Sequence, residues 1–170
     1  MKKLLIVLIV AMLPSLAFAD LQLGAVGMYK GDVTAADVHS VSINDFTFGG
    51  EARLKFGILQ GGLTALYYPT SEYAQIVALT DIGLSLDVLM FRFGAGIGPN
   101  FAFTVAGTSP TSQPVNVGLN LKLSGDVNLG GLSLGLVGFY YLDSLSSLSH
   151  IGDMFKRLPW LGVTAMIKLF

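Results

Sequence analysis

From Phe91 to Phe103 the chain reads FRFGAGIGPNFAF. Phe, Phe, Ala, Ile, Pro, Phe and Phe hold the odd positions. Arg, Gly, Gly, Gly, Asn and Ala hold the even ones. A period of two belongs to a strand with two unlike faces and does not suit a helix. Eight segments carry this pattern, at about Leu21–Lys30, Asp45–Phe56, Ile58–Tyr68, Tyr73–Asp87, Leu89–Val105, Val115–Asp126, Leu132–Leu142 and Leu158–Phe170. The links between them alternate in length. Gly31–Asn44, Pro69–Glu72, Ala106–Pro114 and Asp143–Arg157 are the longer ones. Gly57, Val88 and Val127–Gly131 mark the shorter ones. With an even strand number, the longer loops all fall at one end and the termini at the other. A transmembrane barrel with short periplasmic turns has this plan.

Composition decides what surrounds such a sheet. Apolar residues make up 52% of the chain and charged residues 12%, against about 25% charged in a typical globular protein. After the first 20 residues no apolar run reaches the ~18 residues of a membrane helix. Strands with one lipid-facing side reconcile these two facts. The start of the chain is different. Met1–Lys3 is basic, Leu4–Leu13 is apolar, and Ala17–Ala19 (AFA) is a small-x-small site. This is the pattern of a secretory signal peptide cleaved after Ala19, so residues 1–19 are expected to be a leader and 20–170 the barrel. There is no cysteine, which excludes disulfides, thiolate chemistry and a lipidated N-terminal Cys, and fits a bacterial envelope. Without Lys2 and Lys3, eight basic residues face eleven acidic ones, and 8 − 11 = −3. That balance is no nucleic-acid footprint.

The two faces differ in chemistry. In the second segment Phe46, Phe48, Ala52, Leu54 and Phe56 oppose Glu51, Arg53 and Lys55. In the fourth, Ile82, Leu84 and Leu86 oppose Asp81, Ser85 and Asp87. In the sixth, Leu119, Leu121 and Leu123 oppose Asn120, Lys122 and Asp126. In the last, Val163, Ala165 and Ile167 oppose Thr164 and Lys168. The polar side is also rich in glycine, among them Gly62, Gly94, Gly96, Gly98 and Gly135, where a water-facing surface would carry Lys and Glu. The apolar side is therefore expected to face lipid, and the sheet to close because open edges cannot stand in hydrocarbon. The expected fold is all-β, an eight-stranded antiparallel up-and-down transmembrane barrel.

Such a barrel has an interior about wide enough for side chains alone. Glu51, Asp81, Asp87 and Asp126 are expected to pair there with Arg53, Lys55, Arg92, Lys122 and Lys168, with Arg92 directed at Asp87, Asp81 or Glu51. The glycines permit strand curvature, or leave a narrow cavity beside Arg92. Aromatics are expected at the membrane interfaces: Phe91, Phe93, Phe101, Phe103, Phe46, Phe48, Phe56, Tyr67 and Tyr140. Twelve residue steps from Phe91 to Phe103 at roughly 3.3 Å, tilted by about 40°, span about 30 Å. Pro99 interrupts that stretch, and predicts a bulge or a departure from regular pairing.

These features together resemble the small eight-stranded outer-membrane barrels, the OmpA, OmpX and OmpW-like group, over Asp20–Phe170. Barrels of that group commonly end in Phe, read by the assembly machinery. The resemblance implies that Phe170 is this signal, although Lys168 and Gly162 depart from the usual apolar series. It implies an outer-membrane protein with lipid and the assembly machinery as partners. The chain is expected to be monomeric, without cofactor or metal. Its role would be structural anchoring and surface contact. The alternatives are a narrow channel or binding barrel for small hydrophobic molecules, or an outer-leaflet lipid-modifying enzyme.

Other candidates are weaker. Gly94–Gly98 (GAGIG) lacks the spacing and following helix of a phosphate loop. His39 and His150, with Asp37, Ser40, Ser149 and Asp153 nearby, lie in the two longest loops and suggest a metal or hydrolase site only if folding brings them together. Leu145, Leu148, Ile151, Met154, Phe155 and Leu158 recur at helical spacing and predict a short amphipathic helix over 145–158.

Overall fold

A strand with one apolar and one mixed face leaves two open edges unless the sheet closes on itself. The computed structural model describes residues 19–29, 45–69, 73–107, 116–142 and 160–169. These residues form a closed barrel in which each strand pairs with the next and the eighth returns to the first. The strands are β1 Ala19–Tyr29, β2 Phe46–Phe56, β3 Leu59–Pro69, β4 Tyr73–Val88, β5 Phe91–Gly107, β6 Asn116–Leu129, β7 Leu132–Leu142 and β8 Trp160–Lys168. All eight pairings are antiparallel. The leader residues before Ala19, His39, His150, the 145–158 segment and Phe170 lie outside the described residues.

Three two-residue turns join strands at one end, at Gly57–Ile58, Leu89–Met90 and Gly130–Gly131. Each has positive φ at its first residue: 58° at Gly57, 56° at Leu89 and 74° at Gly130. Glycine takes this conformation freely, and Leu does not. The second turn sits at Leu89–Met90 and not at Val88, which is the last residue of β4. The third is likewise shorter than Val127–Gly131, because β6 runs on to Leu129. The other ends of the strands lie at the opposite end of the barrel.

Register fixes the lean of the wall. A transverse line starts at Leu132 and crosses Ile167, Leu23, Ala52, Leu63 and Thr80. It continues through Pro99 and Leu119 and returns to β7 at Leu142. The line has climbed ten residues, from 132 to 142. A stagger of this kind means strands tilted by roughly 35–45° to the barrel axis.

Pro99 is accommodated without a bulge. Leu79 pairs with Asn100 and Ile82 with Ile97, so the register is the same on both sides of it. The irregularity in this strand pair lies further along, where Ala74 faces Ala106 and Gln75 faces Thr104. Proline brings no N–H to the ladder. Asn120 Nδ2, from inside the barrel, donates instead to the carbonyl of Thr80 at 2.8 Å and to that of Gly98 at 3.0 Å. On the outside, Thr80 Oγ1 donates to the Pro99 carbonyl at 2.8 Å. Asn120→Leu therefore removes a donor from both carbonyls, one of which faces the proline that has no N–H. It is expected to lower the unfolding free energy by about 1–3 kcal/mol, measured by equilibrium denaturant unfolding.

Candidate functional site

The barrel interior is where the chain concentrates its chemistry. Strand alternation sends Asp20 inward from β1, Glu51, Arg53 and Lys55 from β2, and Asp81 and Asp87 from β4. Arg92 enters from β5, Lys122 and Asp126 from β6, and Lys168 from β8. Five acids face five bases, and each of the ten takes part in at least one ion pair.

They divide into two groups. The deeper one centres on Arg53, whose Nε lies 2.5 Å from Glu51 Oε1 and whose Nη1 lies 2.7 Å from Asp126 Oδ2. Lys122 Nζ pairs with the same Glu51 oxygen and stands 3.4 Å from Asp81 Oδ2. Thr164 Oγ1 donates to Asp126 Oδ1 at 3.3 Å and accepts from Arg53 Nη2 at 3.5 Å. All five charged side chains here are at most 2% exposed. Burial of this kind is tolerated only where partners are in place.

The second group lies where the strands meet the short turns. Arg92 Nε donates to Asp87 Oδ1 at 2.7 Å, and its Nη2 to Asp20 Oδ2 at 2.6 Å. Lys55 also pairs with Asp87, and Lys168 Nζ stands 3.5 Å from Asp20 Oδ2. Asp87 is 42% and Lys168 45% exposed, so this group opens to solvent. Arg92 thus meets Asp87 but neither Asp81 nor Glu51, which the deeper group holds. Its other partner is Asp20, which is in phase with Gln22 and Gly24 on the inner face of β1. The alternation extends back through Leu21 to this residue, and that was the signal for it.

Glycines seat these charges. A Cβ on Gly96 would stand 2.7 Å from Asp81 Oδ1, and one on Gly94 would stand 2.6 Å from Ser124 Oγ. Gly62 and Gly135 make room in the same way for the carboxylates of Asp81 and Asp126. A cavity of about 350 Å³ opens among the outward residues Leu21, Ala52, Leu54, Gly61, Leu63 and Ile82 and is also lined by Arg53, Gly62 and Asp81.

Towards the other end the interior turns apolar. Val26, Met28, Leu66, Val77, Leu79, Ala102, Val137 and Phe139 form one buried cluster, with Tyr68, Tyr141 and Trp160 packed against it. Trp160 stacks on Tyr141 with centroids 5.3 Å apart. Lys122 Nζ lies 5.6 Å from the Phe139 ring centroid and joins the charged region to the apolar one by a cation–π contact. Sequence reasoning missed this tier. On β3 and β7 the inner face runs from Gln60 to Leu66 and from Ser133 to Phe139, so a single strand changes from polar to apolar along its length.

Among the aromatics, Phe91 and Phe93 stack on the outer wall near the Leu89–Met90 turn, with centroids 6.5 Å apart. Phe101 and Phe103 stack at the other end of β5, at 6.4 Å. Phe46, Phe48, Tyr67 and Tyr140 point outward near that same end, and Phe56 outward at the short-turn end. No charged side chain is directed outward from the described strands. Among the described residues no group of His, Cys, Asp and Glu is arranged to hold a metal.

No protein-family model, curated protein or solved structure matches the chain.

The two charged groups are expected to respond differently to neutralisation. Arg53→Met leaves Glu51 and Asp126 buried without their main partner and should cost about 3–5 kcal/mol. Lys168→Met, at the solvent-exposed rim, should cost less than about 1 kcal/mol. Denaturant unfolding of the two variants side by side checks the contrast.

Proposed function

We propose that the chain is an integral outer-membrane β-barrel of a bacterial envelope, sealed along its axis, serving as a structural and surface-contact protein. The outer wall carries the reading. Outward positions include Leu23, Leu63, Ile82, Leu84, Leu86, Ile97, Leu123, Leu136, Val163 and Ile167, each at least 45% exposed. Thr80 is the one outward side chain of the described strands that is polar and not aromatic, and its hydroxyl is already bonded to the Pro99 carbonyl. A surface of this kind is unsuited to water and matched to hydrocarbon. Closure removes the sheet edges that lipid does not tolerate.

The closed eight-stranded architecture accords with the resemblance to small eight-stranded outer-membrane barrels. On this reading the aromatic positions at either end of β5 lie at the two membrane interfaces. The short turns face the periplasm and the long connections the exterior. Lipid and the assembly machinery are the partners, and the barrel works as a monomer without a cofactor. The packed interior favours a sealed barrel over a channel for hydrophobic molecules, because its upper half is filled by its own side chains.

Fractionation tests this directly. The protein is expected in the outer-membrane fraction, with a heat-modifiable gel band and no conductance in planar bilayers. Recovery as a soluble periplasmic protein overturns the reading. Leu84→Arg, on the outer wall, should destabilise the folded barrel in lipid by up to about 2–4 kcal/mol, with the largest loss if the position lies near the bilayer midplane. Unfolding of the variant in vesicles measures the loss.

A further inference from the structure

Between the two ion-pair groups lies a set of polar side chains that neither group uses. Gly94 on β5 stands directly opposite Ser85 on β4 and Ser124 on β6. Gln60 reaches the same place, since a Cβ on Gly94 would stand 3.4 Å from its Nε2. Gln22 donates through Nε2 to Ser133 Oγ at 3.4 Å. The residues Ser85, Gln60 and Gln22 are 1%, 5% and 2% exposed. Nevertheless Ser85 Oγ, Ser124 Oγ, Gln60 Oε1 and Gln22 Oε1 have no hydrogen-bond partner in the protein, nor have Asp20 Oδ1 and Glu51 Oε2.

All six atoms are oxygens, and four of them are acceptors only. Buried acceptors of this kind require a donor. Water is the smallest donor that serves several acceptors at once. The short-turn mouth below them meets solvent, where Asp87 and Lys168 are half-exposed. Further up, Thr64 Oγ1, Asn120 Oδ1 and Tyr68 Oη also lack a partner in the protein, but the cluster beside them, with Leu66, Leu79, Met28, Phe139 and Val137 at most 2% exposed, offers water no partner of its own.

We infer that the short-turn half of the lumen is a blind, water-binding well, and that the apolar tier above it, not the ion pairs, is the barrier to passage. The inference rests on the reading of the chain as a sealed membrane barrel and adds where the seal lies. The ion pairs then stand in a hydrated vestibule reached from one end. The opposite end is closed by side chains that exclude water and ions alike.

The absence of cysteine makes the test direct. Ser85→Cys and Ser124→Cys place single thiols in the well, and Leu79→Cys and Val137→Cys place them in the tier. Each variant is reconstituted in lipid discs, which leave both mouths open, and treated with a small thiol reagent bearing a quaternary ammonium. A heat-modifiable band confirms folding, and Gln60→Cys replaces Ser85→Cys if that band is missing. The well thiols are expected to react at least an order of magnitude faster than the tier thiols. Equal rates at all four positions, faster reaction in the tier, or no reaction in the well overturns the inference. Failure of the unmodified chain to enter discs is a different result, and overturns the membrane reading itself.

Discussion

Every charged side chain of the described strands points into the barrel, and the rest of the architecture follows from the need to pair them there. Eight strands enclose a space about as wide as the side chains that fill it. A guanidinium in that space finds a carboxylate from another strand or bears a desolvation cost of several kcal/mol. Arg53 meets this by reaching along its own strand to Glu51 and across the lumen to Asp126. Glu51 in turn also accepts Lys122 from the far wall. Cross-links of this kind act between strands that share no hydrogen bonds, so they constrain the barrel's cross-section as well as its pairing.

Glycine is the other half of that arrangement. Asp81 lies against Gly62 and Gly96, which flank it on β3 and β5, and Asp126 lies against Gly135. A larger residue at any of these positions would displace a carboxylate from its base. Glycine weakens an isolated strand, and here that cost is offset by the ion pair it admits. The glycine-rich inner face and the low charge content of the chain are thus one feature, since each buried charge occupies the space of neighbouring side chains.

Strands and faces were legible in the sequence because a period of two persists through every segment, and β7 coincides with its expected bounds, Leu132–Leu142. The inward direction of Glu51, Arg53 and Lys55 was legible for the same reason. Two things were not. Partners across the lumen depend on a ten-residue stagger that no single strand records, which is why Arg92 reaches Asp20 on a strand 72 residues earlier. The apolar tier was hidden because at Val26, Met28, Leu66 and Phe139 both the inner and the outer neighbours are apolar or small, so alternation fades just where the interior changes character.

Pro99 shows how such a wall absorbs a local fault. A closed barrel has no edge at which an absent N–H goes unnoticed, and a bulge would have shifted every inner side chain beyond it to the outer face. Asn100 and Ala102 would then have exchanged places with Phe101 and Phe103. Repair in place keeps the register. Gly98, with no Cβ, lets the Thr80 carbonyl lie close, and Asn120 reaches it from the facing position on the next strand. The inner face supplies the donor that the ladder lacks, and the outer face supplies Thr80 to the carbonyl of Pro99 itself. The only outward polar side chain outside the aromatics among the described strands therefore belongs to the repair of the one proline within the body of such a strand, and their outer wall keeps its apolar character.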